Sequence, residues 1–239
     1  MNAFANITAF VLAGGLGTRL RSVVADRPKV LAEVAGRPFL HFLLNQLAAA
    51  GVRDVVLGTG YMADLVESTL GFTHGPLSLR YSPETTPLGT GGAVRAALPM
   101  LTSSTVLMLN GDSYCDAELG EFHAQHLQSG AKASILLAHV ADSSRFGSVK
   151  TDAAGTVTEF TEKRADAGPG WINAGIYLID RSLIEAIPTN QAVSIERDVF
   201  PRWIGHGLRG VSIGRALLDI GTPESLASSE AFLRGKGLC

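Results

Sequence analysis

The sequence predicts an α/β fold built on a doubly wound sheet, mixed but mainly parallel. Three observations lead there. Short apolar runs alternate with amphipathic stretches at short spacing, the pattern of strands and the helices that cover them. The first apolar run ends in a glycine-rich loop, Gly14-Gly15-Leu16-Gly17-Thr18-Arg19. The 239 residues, 46% apolar and 18% charged, suffice for one sizeable domain or at most two small ones.

The elements follow in order. Residues 7–13 are apolar and rich in strand formers, and read as a buried first strand. Pro38 opens a stretch with Leu40, Leu43, Leu44 and Leu47 at helical spacing, and Gly51 closes it. Residues 52–57 read as a second strand, 63–70 as a short helix and 77–81 as a third strand. A helix starts near Gly91, and the apolar run 105–109 is a strand ending at Asn110-Gly111-Asp112. Residues 118–129 read as a helix and 133–139 as a strand. Beyond residue 146 come two strands around a turn at 152–155, a strand at 172–178 and a helix start at 194–201. No Pro/Gly/Ser-rich linker separates the halves, so residues 1–239 read as one domain.

Charge and cysteine usage exclude several classes. A net charge of −2 argues against a broad nucleic-acid footprint. No apolar run is long enough to span a membrane, and no leader pattern opens the chain. Cys115 and Cys239 form no metal or redox pair, and Cys115 reads as a packed thiol. His123 and His126 share a helix face without a carboxylate motif, so a surface or packing role is expected rather than metal binding. A soluble, cytoplasmic setting is expected.

The strongest local signal is Leu12-Ala13-Gly14-Gly15-Leu16-Gly17-Thr18-Arg19, with Pro28-Lys29 shortly after. Glycines let backbone N–H groups face a phosphate, Arg19 adds a planar donor fork and Lys29 a point charge. A lone Gly-Gly-x-Gly is better explained by a tight turn; Arg19 and the Pro28-Lys29 pair reverse that preference. Neither familiar phosphate fingerprint fits. No Lys-Ser/Thr pair follows the glycines, and a dinucleotide loop would need Gly where Leu20 stands.

This loop resembles the signature of the sugar-1-phosphate nucleotidyltransferases. The resemblance continues at Pro87-Leu88-Gly89-Thr90-Gly91-Gly92-Ala93, Asn110-Gly111-Asp112, Phe146-Gly147, Glu162-Lys163, Asn173-Ala174-Gly175-Ile176-Tyr177 and Asp219-Ile220-Gly221-Thr222-Pro223. Within that family the chain is most similar to the heptose-1-phosphate and mannose-1-phosphate guanylyltransferases. The resemblance implies the Rossmann-like, GT-A-like nucleotide-diphospho-sugar transferase fold. In it, residues 1–145 form mainly the nucleotide half and 146–239 mainly the sugar-phosphate half. The chain lacks length for the C-terminal β-helix domain of some relatives.

The resemblance also implies roles. A sugar phosphate oxygen attacks the α-phosphorus of a nucleoside triphosphate, and pyrophosphate leaves. Both reactants are anionic, so charge neutralisation and in-line positioning dominate. Arg19 and Lys29 would hold the triphosphate and Lys163 the sugar phosphate. Asp112 and Asp219 would bind Mg²⁺. Leu12, Ala13, Gly14, Gly15, Gly17, Thr18, Gly89, Thr90 and Gly111 would line the nucleotide site. Glu162, Asn173 and the Gly147 backbone would meet the sugar. Thymidine-using relatives carry Gln where this chain has Glu84. A carboxylate can accept from both N1–H and the 2-amino group of guanine, so Glu84 favours GTP.

The expected partners are therefore GTP, or another NTP, and a sugar 1-phosphate, with D-glycero-α-D-manno-heptose 1-phosphate favoured and the product serving surface polysaccharide synthesis. A homo-oligomer is compatible with the sequence. The rival readings are a mannose-1-phosphate guanylyltransferase, an N-acetylmuramate-1-phosphate uridylyltransferase, a non-catalytic sugar-nucleotide sensor and a GT-A glycosyltransferase. Tyr114 breaks the Asp-x-Asp pattern expected of the last.

Overall fold

The computed structural model describes residues 4–161 and 168–239. Its elements are β1 (Thr8–Leu12), β2 (Glu33–Val34), β3 (Arg37–Pro38), α1 (Leu40–Ala50), β4 (Asp54–Thr59), α2 (Ala63–Leu70), β5 (Thr73–His74) and β6 (Leu77–Pro83). Then come α3 (Gly89–Ala96), β7 (Thr105–Asn110), β8 (Ser113–Asp116), α4 (Leu119–Ser129), β9 (Ala133–Val140), β10 (Ser148–Thr151) and β11 (Val157–Thr161). Last are β12 (Gly170–Asp180), α5 (Arg181–Glu185), a single π-turn (Ile195–Val199), α6 (Phe200–Trp203), β13 (Leu208–Gly214), β14 (Ala216–Asp219) and α7 (Pro223–Gly235).

One sheet organises the molecule. Its order is β11-β10-β12-β7-β1-β4-β6-β5, with β9 also on β12 and β13 on β9. The segment β7-β1-β4-β6 is parallel. β12 runs antiparallel beside β7 and β9, and the sheet is mixed beyond it. The strands alternate as a period of two requires. Ala9 and Val11 of β1 face one core with Leu107 and Leu109 of β7; Phe10, Val106 and Met108 face the other. Both faces are covered, which is why these strands read as continuous apolar runs.

Most sequence boundaries hold to within a few residues. Pro38 is a correction: it pairs in β3, and the helix begins two residues later at Leu40. Gly51 does end that helix, in the left-handed conformation with φ 91°. The segment from 194 differs more, for it forms a π-turn before a short helix. The short ribbon of β8 and β14, the strand β13 and the helix α7 are not foreseen. β8 and β14 are four residues each, with mixed exposure and no clean alternation.

Cys115 is wholly buried, and burial pushes its thiol up to about 12. His123 and His126 are likewise buried, with His126 Nδ1 at 2.8 Å from the Ser134 hydroxyl and His123 against Phe4. Of the surface and packing roles left open by the sequence, both take packing.

Candidate active site

The ribbon places the two carboxylates together. Leu12 and Asn110 end adjacent parallel strands, and the chain turns at Gly111-Asp112 into β8. β14 pairs antiparallel with β8, setting Asp219 opposite Ser113. The Ser113 hydroxyl lies 3.2 Å from Asp112 Oδ1 and 3.2 Å from Asp219 Oδ2, so one hydroxyl bridges carboxylates that are distant in sequence. Gly221 N–H donates to Asp219 Oδ1 at 2.8 Å, and Ile220 N–H to the Asp112 carbonyl at 3.0 Å. These bonds fix the loop after β14 against the loop after β7. Lys29 Nζ pairs with Asp112 Oδ2.

A cavity of about 320 Å³ opens on one side of this junction, beyond the carboxyl ends of β1, β6 and β7. Leu12, Gly14, Gly15, Gly17, Glu84, Gly89, Thr90 and Gly111 line it, with Lys29 and Asp112. Glu84 Oε2 accepts from Leu88 N–H at 2.9 Å, and burial holds its carboxyl above the ordinary glutamate range. Its Oε1 faces the Gly14 backbone. Gly89 has φ +69°, and a Cβ there would meet the Val193 carbonyl oxygen at 2.6 Å, so only glycine lets this loop pass.

A second cavity, about 220 Å³, opens on the other side. Arg19, Asp219, Gly147 and Asn173 line it, with Arg145, Phe160 and Glu196. A bulge in β12 between Asn173 and Tyr177 aims Asn173 into this space. Gly175 sits in the bulge at φ +74°, and a Cβ there would lie 2.8 Å from Asn110 Nδ2. Asn110 lines both cavities, and its buried Oδ1 has no hydrogen-bond partner among the described residues.

The structure thus gathers most of the residues singled out from sequence, with particulars. Arg19 stands on the wall shared with Asp219 and Asn173 rather than among the residues lining the larger cavity. Ala13 is buried, and its N–H is spent on the Gly58 carbonyl at 2.8 Å. Thr18 is exposed at the start of a 3₁₀ turn. The Gly147 carbonyl accepts from Asn173 N–H at 2.9 Å. Glu162 and Lys163 lie outside the described residues. Sequence reasoning missed Asn110 as a side chain, Ser113, Arg145 and Glu196. For Glu196, the only sequence signal was its place inside the helix start read at 194–201, which says nothing about a cavity.

The donor set at the junction is oxygen only: two carboxylates joined by a hydroxyl. That suits a hard divalent cation, which takes one or two carboxylates and leaves its other positions to substrate phosphates and water. No group of three or more His, Cys, Asp or Glu side chains that could cage a metal occurs among the described residues, in keeping with such an open site. Among those residues no helix is long and apolar enough to cross a membrane.

Comparison with known proteins agrees with this geometry. The nucleotidyl transferase family profile matches residues 8–235. A mannose-1-phosphate guanylyltransferase of Mycobacterium tuberculosis is 37% identical over 231 residues, covering 95% of this chain and 64% of the relative. The chain therefore spans less than two thirds of that relative's length. A D-glycero-alpha-D-manno-heptose 1-phosphate guanylyltransferase of Aneurinibacillus thermoaerophilus is 32% identical, covering 95% of this chain and 98% of the relative. The crystal structure of HddC from Yersinia pseudotuberculosis complexed with GMP-PN superposes with a TM-score of 0.83 at 32% identity, over 95% of this chain and 99% of that one. With the paired carboxylates, the flanking cavities and a profile match across nearly its whole length, the chain belongs to the nucleotidyl transferase family.

Proposed function

We propose that the chain transfers the guanylyl group of GTP to a sugar 1-phosphate, with D-glycero-α-D-manno-heptose 1-phosphate as the favoured acceptor. The observation that carries this reading is the junction Asp112–Ser113–Asp219, set between two cavities that could each hold one substrate. A bond forms between a sugar phosphate oxygen and the α-phosphorus of GTP; the bond to the bridging oxygen breaks, and pyrophosphate leaves with its electron pair. The nucleophile needs no dedicated base, because a phosphomonoester loses its second proton at about pH 6.

Lys29 and Arg19 neutralise the phosphates from opposite sides of the junction. Asp112 and Asp219 would hold Mg²⁺, which when bound supplies further charge neutralisation on the phosphate oxygens. Lys163 would meet the sugar phosphate, and Glu162, Asn173 and the Gly147 backbone the sugar. Glu84 supports guanine: one oxygen is pinned by Leu88 N–H, and the other is left toward the cavity to accept from the base edge. The full-length match to the heptose relative supports the acceptor, and the cytoplasm is where both substrates would be met.

The test is pyrophosphate release from a panel of five nucleoside triphosphates against heptose, mannose and N-acetylmuramate 1-phosphates. GTP with the heptose is expected to be fastest. UTP as the only accepted nucleotide would overturn the assignment. Asp112→Ala and Asp219→Ala should each abolish turnover while the circular dichroism spectrum is kept, and excess EDTA should do the same to the wild type. Undiminished activity in EDTA would sink the metal assignment.

A further inference from the structure

Glu196 belongs to no sequence motif singled out above, yet it sits at the centre of the site's hydrogen bonds. It lies on the π-turn and lines the smaller cavity. Single π-turns recur at functional sites. Its Oε2 accepts from the hydroxyls of Thr90, at 2.8 Å, and Ser194, at 3.0 Å. Its Oε1 accepts from the Tyr177 hydroxyl at 3.3 Å. A carboxylate only accepts, so each of these hydroxyls must spend its proton on Glu196.

The consequence propagates through Tyr177. The ring is wholly buried, and burial raises its phenol well above the ordinary value, keeping the proton in place. With that proton directed to Glu196, Tyr177 Oη is left as an acceptor. It accepts from Asn173 Nδ2 at 2.8 Å. The Asn173 amide is thereby fixed in orientation. Asn173 Oδ1 accepts from Gly175 N–H at 2.9 Å, which leaves its second Nδ2 proton for the cavity it lines. Asn110 lines both cavities beside it, with its buried Oδ1 an acceptor that has no partner among the described residues.

We propose that Glu196 is a positioning residue for the sugar. By fixing the direction of the Tyr177 hydroxyl it holds Asn173 as a donor beside the Asn110 acceptor, a pair matched to sugar hydroxyl groups, which both donate and accept. The proposal rests on the nucleotidyl-transfer reading above for the identity of the ligand. It explains why a buried phenol that holds a cavity-lining amide points its proton at one carboxylate.

The decisive variant is Glu196→Gln. Its carbonyl can keep Thr90 and Ser194, which turns its NH₂ group onto a phenol oxygen that already accepts from Asn173. The phenol proton then has no acceptor, and Asn173 loses its fixed direction. The expected result is a KM for D-glycero-α-D-manno-heptose 1-phosphate raised about tenfold, with the GTP KM within about twofold, since one unsatisfied buried polar group costs on this order. Tyr177→Phe should give the same sugar-selective loss, and the double variant should be no worse than Tyr177→Phe alone. Should Glu196→Gln not fold, Tyr177→Phe carries the test.

An unchanged sugar KM, an equal loss for both substrates accompanied by a lower Tm, or additive effects in the double variant would overturn the proposal. If wild type releases no pyrophosphate with any substrate pair, the functional reading fails, and D-glycero-α-D-manno-heptose 1-phosphate binding by calorimetry then decides this inference alone. A roughly tenfold weaker Kd in Glu196→Gln supports it. Equal affinity, or no binding by wild type, refutes it.

Discussion

Glu84 shows how much one side chain can decide. Its Oε2 is committed to Leu88 N–H, and burial makes the carboxyl easier to protonate than an ordinary glutamate. With Oε2 held by Leu88 N–H, protonation falls on the cavity-facing Oε1 and turns it from acceptor to donor. GTP affinity should therefore fall as pH drops, and the fall should begin at a higher pH than an exposed glutamate would give. Measuring the GTP KM from pH 8 to pH 5 checks this, with Glu84→Gln expected to flatten the profile. That variant should also weaken GTP about tenfold, because an amide that keeps Leu88 N–H on its oxygen turns an NH₂ donor toward the guanine donors, while other nucleotides change little. Glu84 was legible in the sequence as a polar residue at a motif position. Glu196 was not, since a glutamate near a helix start has a solvated surface as its ordinary place.

At the scale of elements, the bulge in β12 and the β8–β14 ribbon build the site. The bulge needs Gly175, whose φ of +74° and contact with Asn110 leave no room for a Cβ. Gly175→Ala is expected to cost about 1–3 kcal/mol in chemical denaturation, from strain at a left-handed position and displacement of Asn110. It should also raise the sugar phosphate KM more than the GTP KM. The sequence shows Gly175 within the run Asn173-Ala174-Gly175, but not that a bulge lies there. The ribbon is harder still to foresee. Its strands are four residues each, and their pairing joins segments 106 positions apart at Ser113 and Asp219. No local period encodes such a contact.

At the scale of the whole molecule, the sheet carries helices on both faces, and α4 packs against β9 and β13 through buried imidazoles. Burial lowers the pKa of both His123 and His126. The fold thus favours their neutral forms. Stability is full above the ordinary histidine value of 6.5 and is lost as pH falls below it, where the unfolded chain takes up protons more readily. The Tm should be lower at pH 5.5 than at pH 7.5, and His126→Gln should shrink that difference even if it lowers both values. By itself the sequence determined the α/β class, the glycine-rich loop and the identity of most residues beside the junction. Those features are local: strand and helix periods, turn glycines and motif residues are written in neighbouring positions. Tertiary structure alone decided that Asp112 and Asp219 share Ser113, that Arg19 faces the smaller cavity, and that Glu196 gathers three hydroxyls. Each of those depends on how segments distant in sequence pack together, which the linear pattern does not specify.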